Sequence, residues 1–285
     1  MQVGVVFPQT EIGSDVGAIR SYLKAVEDMG YEHLLAYDHV VGADTRSHKD
    51  WKGPYTMESS FHEPMTLFAW IAGVAPRLGL VTGVIILPQR QAVLVAKQAA
   101  ELDILTGGRF RLGVGIGWNP VEYEALGMDF KNRGRRFAEQ IEVLRLLWKE
   151  PSVTFKGEYH TIPAAGLNPL PTRPIPVWIG GSAEPALKRA AELADGFFPQ
   201  QPLPGGWGPT LERMREWRQA AGNQAPLEIE ARVDGSRGNP AEWQAAVANW
   251  KELGATYCSV NTMNGGLKTV DDHLRRLEEV RKAIV

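Results

Sequence analysis

At 285 residues the chain fits either one barrel of roughly 250 residues or two smaller domains. Its 31 Lys and Arg against 33 Asp and Glu leave a net charge of -2, which gives no electrostatic case for nucleic acid or an anionic membrane as partner. A single cysteine, Cys258, excludes an internal disulfide or a cysteine zinc cluster, and no apolar run approaches the roughly 18 residues that span a bilayer.

The chain opens on MQVGVVFP, which reads as a strand over residues 3–7 with no basic stretch ahead of an apolar one, so a cytoplasmic location is expected. An amphipathic helix over 15–29 follows and stops at Gly30. HLLAY (33–37) is the second strand. LGLVTGVI (78–85) is the third, with a helix over 91–105 behind it. RFRLGVG (109–115) is the fourth, trailed by a helix over 135–149. PVWIGG (176–181), GFFP (196–199), LEIEARV (227–233) and TYCSVN (256–261) complete the series, with helices between and after them. Eight strands each followed by a helix predict an α/β fold, a (β/α)8 TIM barrel, as a single domain over 1–285. The rival, an open doubly wound sheet, would carry a phosphate-binding glycine turn after its first strand, and PQTEIG is not one. Two segments break the rhythm, a loop over about 40–62 and a Pro- and Gly-rich stretch over 152–174. Loops of this length in a compact barrel serve as lids or are disordered, and both are expected as lids at the mouth.

The chemistry is expected at strand ends. Gly113, Gly115 and Gly117 recur at a spacing of two, which places them on one face of a strand and leaves bare backbone for a flat ligand. Trp118 stands where a dinucleotide fingerprint needs its third glycine, so a flavin-like ring is the better fit. Asp38 and His39 close the second strand, at the barrel edge where active sites form. A neutral imidazole relays protons near pH 7, which makes His39 the general acid/base candidate; the plain alternative is a histidine that only bonds its loop. His62 precedes the helix start Glu63-Pro64 and reads as a structural or rim residue. The other histidines lack metal-ligand spacing, and no metal is expected. Gly180, Gly181 and Ser182 end the fifth strand and open a helix, with Ser182 as its expected cap and an anion favoured at its dipole. An ordinary turn with a capping serine is the alternative. Gly83-Val84 in the third strand permits a bulge.

TGVIILPQR, GGRFRLGVGIGW, RRFAEQIEVLRLLW and PIPVWIGGSAEPALKRAAELADGF together resemble the luciferase-like monooxygenase superfamily, and within it the branch that depends on the deazaflavin coenzyme F420. The resemblance runs over residues 3–198, with 82–118 its specific part. It implies a luciferase-like barrel with an insertion before the fifth strand, F420 or FMN in the mouth, and a homodimer. It also implies a non-prolyl cis peptide at Gly83-Val84, whose bulge would back the ring while Gly115 and Gly117 make room and Trp118 borders its edge. Gly180, Gly181 and Ser182 would hold the phosphate, and the Asp38–His39 pair would carry the proton that accompanies hydride transfer. One departure stands out. Trp118 occupies the place of the catalytic glutamate in the family's sugar-phosphate dehydrogenase, and Glu122, the nearest carboxylate, is expected to point elsewhere. Glucose 6-phosphate is thereby disfavoured, and Trp51 and Tyr55 lean toward a planar or apolar substrate. Arg90, Lys188 and Arg189 are candidates for the polyglutamate tail of F420, against a reading as scattered surface charge. Three functions follow: hydride transfer between F420 and a small organic substrate, an FMN-dependent monooxygenase that uses oxygen and a reductase partner, or a non-catalytic flavin carrier.

Overall fold

The computed structural model describes all 285 residues. Along the first half run β1 (Gln2–Val6), α1 (Val16–Asp28), β2 (His33–Ala36), α2 (Pro64–Val74), β3 (Gly79–Thr82), β4 (Ile85–Ile86), α3 (Ala92–Leu105), β5 (Phe110–Gly115), α4 (Pro120–Ala125) and α5 (Arg133–Lys149). A hairpin of β6 (Val153–Lys156) and β7 (Thr161–Ala165) leads to β8 (Val177–Gly181), α6 (Glu184–Leu193), β9 (Gly196–Pro199) and α7 (Trp207–Ala220). Then come β10 (Glu228–Asp234), α8 (Pro240–Glu252), β11 (Tyr257–Asn261) and α9 (Val270–Ile284).

The strands pair in the order β3-β2-β1-β11-β10-β9-β8-β5-β4, and β3 also pairs with β5, which closes a parallel barrel. The expected fold is therefore present, with one refinement. The third barrel strand is split into β3 and β4 at Gly83-Val84, whose peptide bond is cis.

Alternation along each strand sorts the side chains into two cores. Val5, Leu34, Leu80 and Leu112 face outward and join the large apolar cluster between strands and helices. Val6, Leu35, Val81, Trp178, Phe198 and Met263 form a smaller cluster inside the barrel. The helices follow the same logic: α1 buries Ile19, Tyr22, Leu23 and Val26, the stripe of a 3.6-residue period, and Asp15 caps it by accepting from the Ala18 N–H. Glu63 caps α2 ahead of Pro64 in the same way, accepting from the Thr66 N–H at 2.7 Å.

The insertion over 152–174 departs from expectation. A helix that follows a barrel strand returns the chain to the end where the next strand begins, so α5 delivers it to the N-terminal face. Arg173 there pairs with the buried Asp103 at 2.7 Å and lines a cavity with Gly108 and Pro176. No residue of 152–174 borders the mouth, so the segment is no lid.

Candidate active site at the barrel mouth

A cavity of about 660 Å³ opens at the C-terminal ends of the strands and is bordered by His39, Val84, Gly115, Trp118 and Gly180. Its size suits a cofactor pocket. One wall is the Val84 side chain, seated between two glycines. A β-carbon on Gly115 would lie 2.7 Å from one Val84 methyl, and one on Gly180 would lie 3.1 Å from the other. The glycine row also makes room within the protein, while Gly115 and Gly117 border the cavity. Gly113 clears the Thr82 carbonyl, which a β-carbon would meet at 1.8 Å, and Gly115 clears Val84. Gly117 lies beyond the strand at φ +65°, where an added β-carbon would strike Ile86. Bare backbone on β5 accommodates the split third strand, and the split strand offers Val84 to the cavity.

Asp38 borders the cavity, but its oxygens are already engaged. One accepts from the Ile86 N–H at 3.1 Å and the other from Arg90 at 2.8 Å. Burial pushes the carboxyl up against the pull of Arg90. Asp38 thereby fastens β4 behind Val84 while it borders the cavity. Arg90 is held between Asp38 and Glu63, and the exposed Lys188 lies 3.8 Å from Glu192.

Sequence reasoning turned Glu122 away from the site, and the structure turns it in. Asn119 caps α4 by accepting from the Val121 and Glu122 N–H groups, which sets the buried Glu122 carboxylate against the end of β2. Its Oε2 lies 3.5 Å from His39 Nδ1 and accepts from Gln89 at 3.2 Å, while Oε1 accepts from the Val40 N–H. Burial raises the Glu122 carboxyl, but the His39, Val40 and Gln89 contacts outweigh it and hold it below the usual carboxylate range. The signal in the sequence was Asn119-Pro120, a helix start that places Glu122 in the first turn.

Around His39 the loop over 40–62 and the segment after β5 supply aromatic rings. The Phe61, Tyr55 and Trp118 centroids stand 4.7, 5.1 and 5.6 Å from the imidazole, and Trp51 lies 5.7 Å from Trp118. Gly53 permits this packing, because a β-carbon there would sit 2.4 Å from the Trp118 ring. Phe61 was missed because its loop has no period to read.

Gly180, Gly181 and Ser182 also border the cavity. The expected serine cap is absent: Ala183 occupies the N-cap of α6 and makes no side-chain bond. Pro185 has no N–H and Ala186 donates to the Ala183 carbonyl at 2.8 Å, which leaves the Ser182, Ala183 and Glu184 N–H groups to an outside acceptor beside the positive end of the helix. His62 does not border the cavity, and its ring packs 5.9 Å from Phe7.

A family model described as luciferase-like monooxygenase matches residues 1–255. The chain belongs to the luciferase-like monooxygenase family. An uncharacterized protein of Mycobacterium tuberculosis is 37% identical over 214 residues, 72% of this chain and 73% of that one. Pyrimidine monooxygenase RutA of Cronobacter sakazakii is 26% identical over 233 residues, 78% of this chain and 68% of RutA. The solved structure of an F420-dependent secondary alcohol dehydrogenase in complex with an F420–acetone adduct has the same fold, with a TM-score of 0.79 at 17% identity over 100% of this chain and 99% of that one. As a luciferase-like family member the protein is an enzyme of the oxidoreductase and monooxygenase type. No helix is long and apolar enough to cross a membrane.

Proposed function

We propose that the protein transfers a hydride between coenzyme F420 and a small organic substrate. The observation that carries this reading is the His39–Glu122 pair, a proton relay set beside the Val84 wall of a cofactor-sized cavity. The residues fit a flavin-type group: Val84 between Gly115 and Gly180 offers a flat backing, and the uncapped start of α6 at Gly181–Ala183 offers N–H groups for a phosphate. A bound deazaflavin supplies or accepts the hydride. His39 Nδ1 is turned to Glu122, which leaves Nε2 to exchange a proton with a substrate oxygen. Glu122 orients the ring, and Phe61, Tyr55 and Trp118 exclude water around it. A flavin carrier would have no use for such a relay.

A second reading, an FMN-dependent monooxygenase, is favoured by the likeness to RutA. Parallel titration of the purified protein with F420 and with FMN separates the two. Tight F420 binding with weak FMN binding supports hydride transfer, and reduced F420 should then turn over carbonyl or unsaturated substrates. Preference for FMN moves the assignment to the monooxygenase. Binding of neither removes both.

A further inference from the structure

Alternation along β10 sends Ile229, Ala231 and Val233 outward into the apolar core and Glu228, Glu230 and Arg232 into the barrel. The inward charges are treated unequally. Glu230 is answered by Arg111 at 2.7 Å, His33 at 3.0 Å and the Ser259 hydroxyl. Arg232, one layer nearer the mouth, has no such partner: its Nε is buried without an acceptor, and its guanidinium lies over the Tyr37 ring, 5.2 Å from the centroid.

Arg232, Tyr37 and Tyr55 all border the mouth cavity. Burial, Tyr37 and Glu11 push the Tyr55 phenol up while Arg232 pulls it down. The pairing order β10-β9-β8-β5-β4 sets Arg232 across the barrel from β4 and the adjoining Val84. A guanidinium that is partly withdrawn from water and lacks an ion-pair partner is costly, and its planar fork is matched by an oxyanion that accepts two parallel N–H bonds, as a carboxylate does.

We propose that Arg232, with the Tyr37 and Tyr55 hydroxyls, is a carboxylate subsite, and that the substrate is a small organic acid. Its carboxylate rests on Arg232, and its reacting carbon lies between His39 and the Val84 wall. The inference rests on the reading that the Val84 side backs the cofactor. The same planar acceptor chemistry could come from a carbonyl oxygen of the cofactor ring, and the experiment separates the two sources.

Benzoate and benzamide share a ring and differ in charge. Each is titrated into the full-length wild type, Arg232→Met, Arg232→Lys, Tyr37→Phe and Tyr55→Phe, by calorimetry and by the fluorescence of Trp118 and Trp207 at the mouth. F420 and FMN are titrated into the same proteins, and thermal unfolding checks each fold. Benzoate is expected to bind the wild type about tenfold or more tighter than benzamide. Arg232→Met should abolish that preference, Arg232→Lys should keep part of it, and each Phe variant should weaken it a few-fold, with cofactor affinities unchanged. Equal affinity for the two probes in the wild type overturns the proposal, as does a benzoate preference that survives in Arg232→Met, or in full in Arg232→Lys should Met fail to fold. Loss of cofactor binding in Arg232→Met with the benzoate preference intact assigns Arg232 to the cofactor and overturns it too. A wild type that binds neither cofactor but prefers benzoate supports the subsite while the hydride-transfer reading fails.

Discussion

His39 works through what surrounds it. Glu122 approaches Nδ1, and Tyr55, Phe61 and Trp118 ring the imidazole. If Nε2 carries the proton, His39→Ala should lower kcat by about 10²-fold or more, read in steady-state turnover with either cofactor, and unchanged kcat would remove the role. Glu122 is held below the usual carboxylate range, so it is an anion throughout neutral pH. Glu122→Gln keeps an acceptor for the Val40 N–H but loses the charge; kcat should fall about tenfold with KM nearly unchanged, because ring orientation serves the transition state more than binding. A matching rise in KM would mean that Glu122 binds substrate instead. His39 was legible because a polar residue at the end of a barrel strand faces the mouth. Glu122 was not, because its contact with Val40 spans 82 residues and is decided by how α4 packs over the end of β2.

At the scale of elements, the split of the third strand and the glycines of β5 are one device. The side chains of one depend on missing side chains in the other. Gly113→Ala would set a methyl 1.8 Å from the Thr82 carbonyl, a backbone atom that cannot swing aside, whereas Gly115→Ala meets only a Val84 methyl at 2.7 Å. Thermal unfolding should therefore rank Gly113→Ala well below Gly115→Ala, with the latter costing about 1–3 kcal/mol. Gly115→Ala should also weaken cofactor affinity, since it displaces the Val84 wall. Equal melting temperatures for the two variants would mean that the strands can part without cost. The period-two glycines were visible in the sequence, but their target was not. A strand pattern gives the face and not the neighbour across it. The serine cap failed for a related reason: Ser182 stood in a favourable place, but the cap fell one residue later, at Ala183, and the helix begins at Glu184.

At the scale of the whole molecule, the barrel interior holds a buried charged layer beside its apolar cluster. Glu230 is buried with Arg111, His33 and Ser259 around it, and Arg111 also lies over the Trp178 and Tyr257 rings at 4.6 and 4.1 Å. Burial alone would raise the Glu230 carboxyl, but Arg111 and His33 overcome it and hold it far below the usual range. A carboxyl depressed in the folded state favours folding above its unfolded pKa of about 4.3, and that contribution is lost as pH falls and the unfolded chain takes up the proton first. The melting temperature should therefore drop below about pH 4. Glu230→Gln, which strands Arg111, should cost about 3–5 kcal/mol at neutral pH and less as pH falls. A gap between variant and wild type that stays constant from pH 7 to pH 3 would show that Glu230 does not carry the acid sensitivity. The alternation of strands and helices, the strand-end histidine and the glycine-rich third and fourth strands are local patterns, and the sequence by itself determined them because periodicity and backbone freedom act over a few residues. The Glu122 contact, the engaged Asp38, the N-terminal placement of 152–174 and the unpaired Arg232 were decided only by tertiary structure, because barrel closure brings together charges that lie far apart along the chain.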